Sequence, residues 1–421
     1  MAASTTLPLL AMPLCATALG PKGWGLASYA FLLQLVATLI EQGFSQALVK
    51  EMAEARLSGK GGFRSLLKGL ERFYGLAVIG IAACVAVASH TLALGVAERS
   101  DLDVGLAREV VLLSGLLIAV QLPGALYRSA LIASEWHVAN SLLIIVAQSL
   151  RHGGGIAVAV MFGRPELYLI WMVTVALIET VGRRCVLLWL VSREACAQAT
   201  ASHDGDAGAG PRIAVKDVIR RSAKMSLAVL LGSLAVYMDR FIVGQKLPVE
   251  SLGIYTLAST AAIGVTQLVY PICQLNLPKL VQVGENRAAR WAINQKMLLQ
   301  MLAMVLVAGG LYAAIGMHVV SWWLKSDALI LQVAPLLPWL LLGSALNALY
   351  NVGYLNWIAD GNHGAIMKVY GFCLVAGLAI VPWSIEKYGL SGAVVGWLLI
   401  NTICFFSSFQ WVLNGWRHGH H

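Results

Sequence analysis

"LLIIVAQSLRHGGGIAVAVMF", residues 142–162, is long and apolar enough to cross a bilayer, yet Arg151, His152 and three consecutive glycines sit near its middle. A helical span needs about 20 predominantly apolar residues. A charge at its centre costs at least about 2.5–3.5 kcal/mol unless it faces water, protein or a partner. Asn140, Gln148, Arg151 and Gly155 fall on roughly one helical face, and the rest is Leu, Ile, Val and Ala. That polar face is predicted to point into the protein. Gly153, Gly154 and Gly155 remove bulk beside the arginine, either to admit a neighbouring helix closely or to leave space for a large ligand.

The whole chain reads the same way. Hydrophobic residues make up 58% and charged residues 12%, about half the charged share usual for soluble domains. Mean hydropathy is +0.74. An all-α, multi-pass membrane protein is predicted, with membrane lipid around it. In a soluble chain the net charge of +9 would suggest nucleic acid. Here it reads as topology, and no nucleic-acid partner is expected.

Twelve apolar segments centre near residues 12, 36, 85, 120, 150, 180, 234, 264, 308, 343, 376 and 401. Trp24, Trp171, Trp189, Trp322 and Trp323 mark segment ends. The first stretch, Thr6–Leu19, falls short of a span and holds Pro8 and Pro13, which implies a broken helix or a truncated start. Of 30 Lys and Arg, 18 lie in one set of alternate loops, 7 in the other and 5 inside segments. The positive-inside rule then places the first set and both termini in the cytoplasm. No signal-peptide pattern opens the chain.

"ATASHDGDAGAGPR" (199–212) belongs to a long polar connector, 194–222, between predicted six-helix lobes at 1–193 and 223–421. The lobes look related. "GWGLASYAFLLQ" (23–34) and "SLGIYTLASTAA" (251–262) set a glycine and a tyrosine in similar frames, and at that offset Thr38 meets Thr266 and Gln46 meets Gln274. Six-plus-six repeats of the same orientation imply two lobes around a central cavity.

Little in the chain suits catalysis. "DLD" (101–103) and "DGD" (204–206) lack nearby metal-ligand partners, and "SGKGG" (58–62) lacks phosphate-loop spacing. The seven cysteines form no CxxC pair and read as apolar filler. No nucleophile–base pair sits at helical spacing in an apolar segment. Neither an enzyme nor a metal or cofactor site is expected.

The intramembrane charges carry more information. Glu179 and Arg183 are four apart and can pair on one face. Arg184 points elsewhere, to a cavity or the cytoplasmic surface. Asp239 and Arg240 close segment seven, while Arg128 and Glu135 suit interfacial anchoring. Arginine favours bidentate phosphate contacts, so the positive balance suggests an anionic substrate. Arg151, Arg184, Gln148, Asn140 and Arg240 are the candidate substrate-binding residues. Glu179, Arg183, Asp239, His152 and Glu41 are the candidates for ion coupling or ion pairing. Pro123, Pro271, Pro335, Pro338 and Pro382 interrupt segments, as bends or static kinks.

"PLCATALGPKGWGLASYAFLLQLVATLIEQGFSQALVKEM" (13–52) resembles the opening of Wzx-type polysaccharide-unit flippases, within the multidrug/oligosaccharidyl-lipid/polysaccharide exporter superfamily. The matching features are Leu19-Gly20-Pro21, Gly23-Trp24-Gly25, Glu41-Gln42-Gly43 and Lys50. "YMDRFIVGQKLPVESLGIYTLA" (237–258) is similar to the start of that family's second lobe. Thr17 and Ala18 stand where the family often has an arginine. The resemblance implies an ion-driven, alternating-access flippase of the bacterial inner membrane. Its substrate would be an undecaprenyl-diphosphate-linked oligosaccharide for surface polysaccharide such as O-antigen, lipopolysaccharide or exopolysaccharide. A polymerase and a chain-length regulator would be its partners. The rival readings are a multidrug antiporter of the same superfamily and a membrane glycan ligase or polymerase.

Overall fold

A backbone in lipid must satisfy its own hydrogen bonds, which leaves helices for a chain of this composition. The computed structural model describes residues 2–57, 60–201, 215–284 and 286–409, and among them no strand occurs. Residues 202–214 of the connector with its "DGD", Ser58 and Gly59 of "SGKGG", and the side chain of Glu41 lie outside the described residues.

Fourteen α-helices and one π turn follow in order: α1 (Ala2–Leu57), α2 (Lys60–Ser100), α3 (Val104–Ala133), α4 (His137–Ser149), the π turn (Leu150–Gly154), α5 (Gly155–Phe162), α6 (Pro165–Ala201), α7 (Val215–Lys246), α8 (Val249–Thr266), α9 (Tyr270–Val283), α10 (Arg287–Leu324), α11 (Asp327–Val333), α12 (Leu337–Ala359), α13 (His363–Tyr388) and α14 (Leu390–Ser408). Every predicted segment centre falls on one of them. Among the described residues, six helical stretches are long and apolar enough to cross a membrane, or eight if the bent pairs α8–α9 (43°) and α11–α12 (50°) each count as one span. The protein is an all-α, multi-pass membrane protein.

The breaks have identifiable causes. α1 runs past Pro8 and Pro13 and bends instead at Gly20, with φ 71° and ψ 174°. Glycine tolerates that left-handed φ, and Pro21 disfavours a helical residue before it. Pro271 opens α9, and Pro335 and Pro338 flank the α11–α12 bend. Pro123 and Pro382 remain inside continuous helices.

The chain divides into two compact units, chiefly residues 18–230 and residues 231 onward. In the first, α3 packs against α2, α4 and α6. In the second, α12 packs against α8, α9, α10, α13 and α14. The same turns recur in both. Left-handed residues stand at Asp101 and Lys325, at Glu135 and Gly361, and at Gly163 and Gly389, spaced 224, 226 and 226 apart. The central helices also end alike. Arg56 reaches Ser134 O at 3.4 Å, just past α3, and stacks over the Trp136 ring. Arg290 bonds Asn356 Oδ1 at 2.8 Å and Asp360 Oδ1 at 2.6 Å at the end of α12.

Close packing between helices substitutes for hydrophobic driving force in lipid. A Cβ at Gly392 would lie 2.2 Å from Ser384 O, and one at Gly353 would lie 2.3 Å from Ser408 O. Gly309 and Gly310 on α10 have no neighbour within 4 Å. Gly392→Ala is therefore expected to destabilise by about 1–3 kcal/mol. Gly310→Ala is expected to be neutral or stabilising by up to about 1 kcal/mol. Thermal unfolding of both variants in detergent checks the contrast.

Candidate functional site

The charged run met first lies where the helix changes form. A π turn of Leu150–Gly154 joins α4 to α5. Such a turn widens the helix locally and rephases the side chains that follow. The indole N–H of Trp171 on α6 donates to Leu150 O at 3.0 Å. Two of the three glycines serve this packing. A Cβ on Gly154 would come within 2.2 Å of the Trp171 ring, and one on Gly155 would lie 3.2 Å from both Met172 and Tyr168. Gly153 has no neighbour within 4 Å. The glycines therefore admit α6 closely, and Gly153 alone borders open space.

Arg151 leaves the π turn towards α6. Its Nη2 lies 2.9 Å from Glu179 Oε2, while Arg183 Nη2 lies 2.5 Å from Glu179 Oε1. The side chains are 19% exposed at Arg151, 14% at Glu179 and 6% at Arg183. Arg183 Nη1 also reaches Gly124 O on α3 at 3.4 Å. Pro123 supplies no N–H to the helical ladder there, and Thr180 donates to the nearby Val120 O at 2.9 Å. One carboxylate thus serves two guanidiniums across three helices. Arginine stays protonated, so the group keeps an excess positive charge inside apolar helices.

Arg151 is incompletely bonded. Its Nε is buried with no hydrogen-bond partner among the described residues, as are Gln148 Oε1 and Asn140 Oδ1. Asn140 stands eleven positions before Arg151 on the same helical run, in the first turn of α4. His152 follows Arg151 on the π turn.

Arg184, Asp239 and Arg240 have other partners. Arg184 Nε sits 3.2 Å from Glu71 Oε1 on α2, an oxygen that also accepts from Tyr127 OH at 2.9 Å. Asp239 is buried on α7 in the second unit. It accepts from Tyr255 OH on α8 and, at 2.8 Å, from the backbone N–H of Arg240. Arg240 stacks over the Tyr237 ring at 5.3 Å.

Sequence reasoning missed Glu71, Tyr127 and Tyr255, which partner these charges, and the pairs Gln34–Gln121 (2.5 Å) and Asn347–Asn401 (2.8 Å). For Tyr127, Tyr255 and the two amide pairs the available signal was an uncharged polar side chain in an apolar segment, each needing a partner in lipid. It reveals the need, and the partner's identity comes only from the fold.

The arrangement ranks the variants. Glu179→Leu removes the carboxylate that both guanidiniums share, and breaking a buried pair this way costs about 3–5 kcal/mol. Arg151→Met leaves Glu179 with Arg183 and is expected to be much milder. Thermal midpoints of the purified variants in detergent measure the order.

Known proteins share this fold. A structure of a multidrug resistance MATE family transporter of the MOP superfamily, in an inward-facing conformation, matches at TM-score 0.71 with 14% identity, covering 99% of this chain and 96% of that one. The lipid II flippase MurJ, in an inward closed conformation, matches at TM-score 0.73 with 12% identity, covering 97% and 86%. At such identities the likeness is one of fold. A Shigella flexneri protein provisionally named an O-antigen transporter is 25% identical over 190 residues, 45% of this chain. The matched stretch spans under half of that relative, 44% of its length. The model of one family, described as polysaccharide biosynthesis protein, matches residues 1–283, and the chain belongs to that family.

Proposed function

We propose that this protein is an alternating-access flippase that moves undecaprenyl-diphosphate-linked oligosaccharide repeat units from the cytoplasmic to the periplasmic leaflet of the bacterial inner membrane. One observation carries the reading: a net-positive cluster, Arg151 and Arg183 around Glu179, held within apolar helices of a polysaccharide biosynthesis protein. Guanidinium donors pair with phosphate oxygens in a fork geometry. Arg151, the more exposed arginine of the two, is the phosphate contact. Gln148 and Asn140 supply acceptors for sugar hydroxyls on the same helical run, and the unpartnered oxygens of both support this role. Arg184 and Arg240 are further candidates for contact with an anionic substrate. The 18-to-7 split of basic residues supports cytoplasmic termini, and the lobes are taken as 1–193 and 223–421. A polymerase and a chain-length regulator take the product onward.

Asp239 is the candidate for cation coupling, because a buried acid among hydroxyl and amide donors changes charge at a definite place. Glu179, His152 and Glu41 remain secondary candidates. The fold match to a multidrug resistance transporter favours an ion-coupled antiporter as the second reading. A cationic drug would want an excess of acid, which the Arg151 cluster does not offer.

Deletion of the gene in its host, followed by complementation, tests the function. Loss of surface polysaccharide with complete lipid-linked units accumulating on the cytoplasmic side is the expected result. Normal polysaccharide with raised drug sensitivity would move the assignment to the antiporter. Arg151→Ala is expected to reach the membrane at wild-type level and to abolish export. Wild-type export by that variant refutes the role of Arg151. Asp239→Asn is expected to bind substrate yet lose the dependence of export on the ion gradient, measured in inverted vesicles with and without an uncoupler.

A further inference from the structure

The Arg151 cluster has an internal geometry that the phosphate-contact reading leaves unused. Glu179 divides its two oxygens, Oε1 to Arg183 at 2.5 Å and Oε2 to Arg151 at 2.9 Å. The two arginines are held differently. Arg183 is one turn away on the same helix, is 6% exposed and is tied to Gly124 O as well. Arg151 comes from another helical run, 28 residues away in sequence. Its side chain is 19% exposed, and its bond to Glu179 spans two helices. The acid is thus anchored on α6 by Arg183, and Arg151 is the arm that can let go.

We propose that Glu179 is an internal competitor for Arg151, a carboxylate that the diphosphate of a lipid-linked ligand displaces on binding and that reclaims the arginine on release. The proposal rests on the reading of Arg151 as the phosphate contact. Carboxylate and phosphate oxygens present the same kind of acceptor to a guanidinium fork. A ligand phosphate that takes Arg151 leaves Glu179 paired with Arg183, so neither charge is stranded during the exchange. Without such a competitor, a guanidinium in a poorly hydrated site would hold a diphosphate tightly and give it up slowly. Glu179 therefore sets affinity and exit, as a positioning residue that acts through Arg151. The π turn at Leu150–Gly154 suits this, because it interrupts the regular ladder directly under the moving side chain.

The test uses the full chain purified in detergent, with farnesyl diphosphate as probe and farnesol and inorganic pyrophosphate as controls, read by microscale thermophoresis. Glu179→Asp keeps the charge and the one-turn pairing with Arg183 but shortens the reach to Arg151 by about 1.5 Å. It is expected to bind farnesyl diphosphate about three- to tenfold more tightly than wild type and to slow export. Glu179→Gln is expected to shift in the same direction. Arg151→Gln is expected to lose binding in both the wild-type and the Glu179→Asp background. Thermal midpoints are measured in parallel, since a merely structural Glu179 would lower the midpoint without tightening binding. Equal or weaker binding by folded Glu179→Asp, with Arg151→Gln still deficient, overturns the competitor and leaves the phosphate contact standing. Binding by Arg151→Gln at wild-type strength overturns both, as does no binding by any variant. Equal binding of farnesol assigns the affinity to the prenyl chain and likewise overturns both. Pyrophosphate binding as strong as farnesyl diphosphate keeps the competitor and assigns recognition to the free phosphate group.

Discussion

One carboxylate between two arginines is the constraint around which the first unit is organised. Glu179 could not stand alone in an apolar helix, nor could Arg151 or Arg183. Bringing the three together requires α6 to approach the run α4–α5 at one level and α3 at another. The approach to α4–α5 depends on Gly154 and Gly155, where a side chain would collide with Trp171, Met172 or Tyr168. The approach to α3 lies at Pro123, where Thr180 and Arg183 take up backbone carbonyls. Electrostatic need and close packing therefore fall on the same stretch of α6, residues 168–183. Packing by small residues and satisfaction of polar groups are the two forces left to hold helices together in lipid.

The second unit shows that this cluster is an addition to a shared frame. Left-handed turn residues recur 224–226 positions apart, and a central helix organises each unit. At a spacing of 226, Arg151 falls on Gly377, Glu179 on Phe405 and Arg183 on Phe409. The ion pair one turn apart on α6 thus corresponds to a ring pair four residues apart at the end of α14, with Phe405 and Phe409 centroids 5.3 Å apart. Gly377 is filled against by Met238, as Gly154 is by Trp171.

Much of the fold was legible, and for local reasons. Hydropathy over windows of helical length places every predicted segment centre on a helix or the π turn, and six to eight stretches among the described residues meet the length and composition of a span. The Glu179–Arg183 pair was legible too, since four residues in a helix fix a shared face. What the sequence concealed was non-local. The partner of Arg151 lies 28 residues away on another helix, and nothing along the chain names it. Trp171 looks like an interfacial marker, yet its indole N–H serves a carbonyl of the π turn. The π turn itself has no sequence signature beyond glycines that also suit close packing. Pro8 and Pro13 look like breaks in the first segment, but the bend sits at Gly20, where a left-handed φ and a following proline coincide.

The asymmetry of charge between the units bears on how the proposed cycle works. The first unit holds the guanidiniums around Glu179, and the counterparts in the second are apolar. The second unit holds Asp239, buried with Tyr255, whereas the first segment of the chain, Thr6–Leu19, carries neither acid nor base. In the proposed cycle the unlike charges divide the tasks, the first unit taking an anionic group and the second a cation. Two sites coupled in this way need not touch, provided that each prefers a different state of the same two-lobed frame. A ligand can shift such an equilibrium only by its difference in affinity for the two states. An arginine whose availability depends on a competing carboxylate supplies such a difference, because a small change in the distance between α6 and the π turn decides which acceptor it holds.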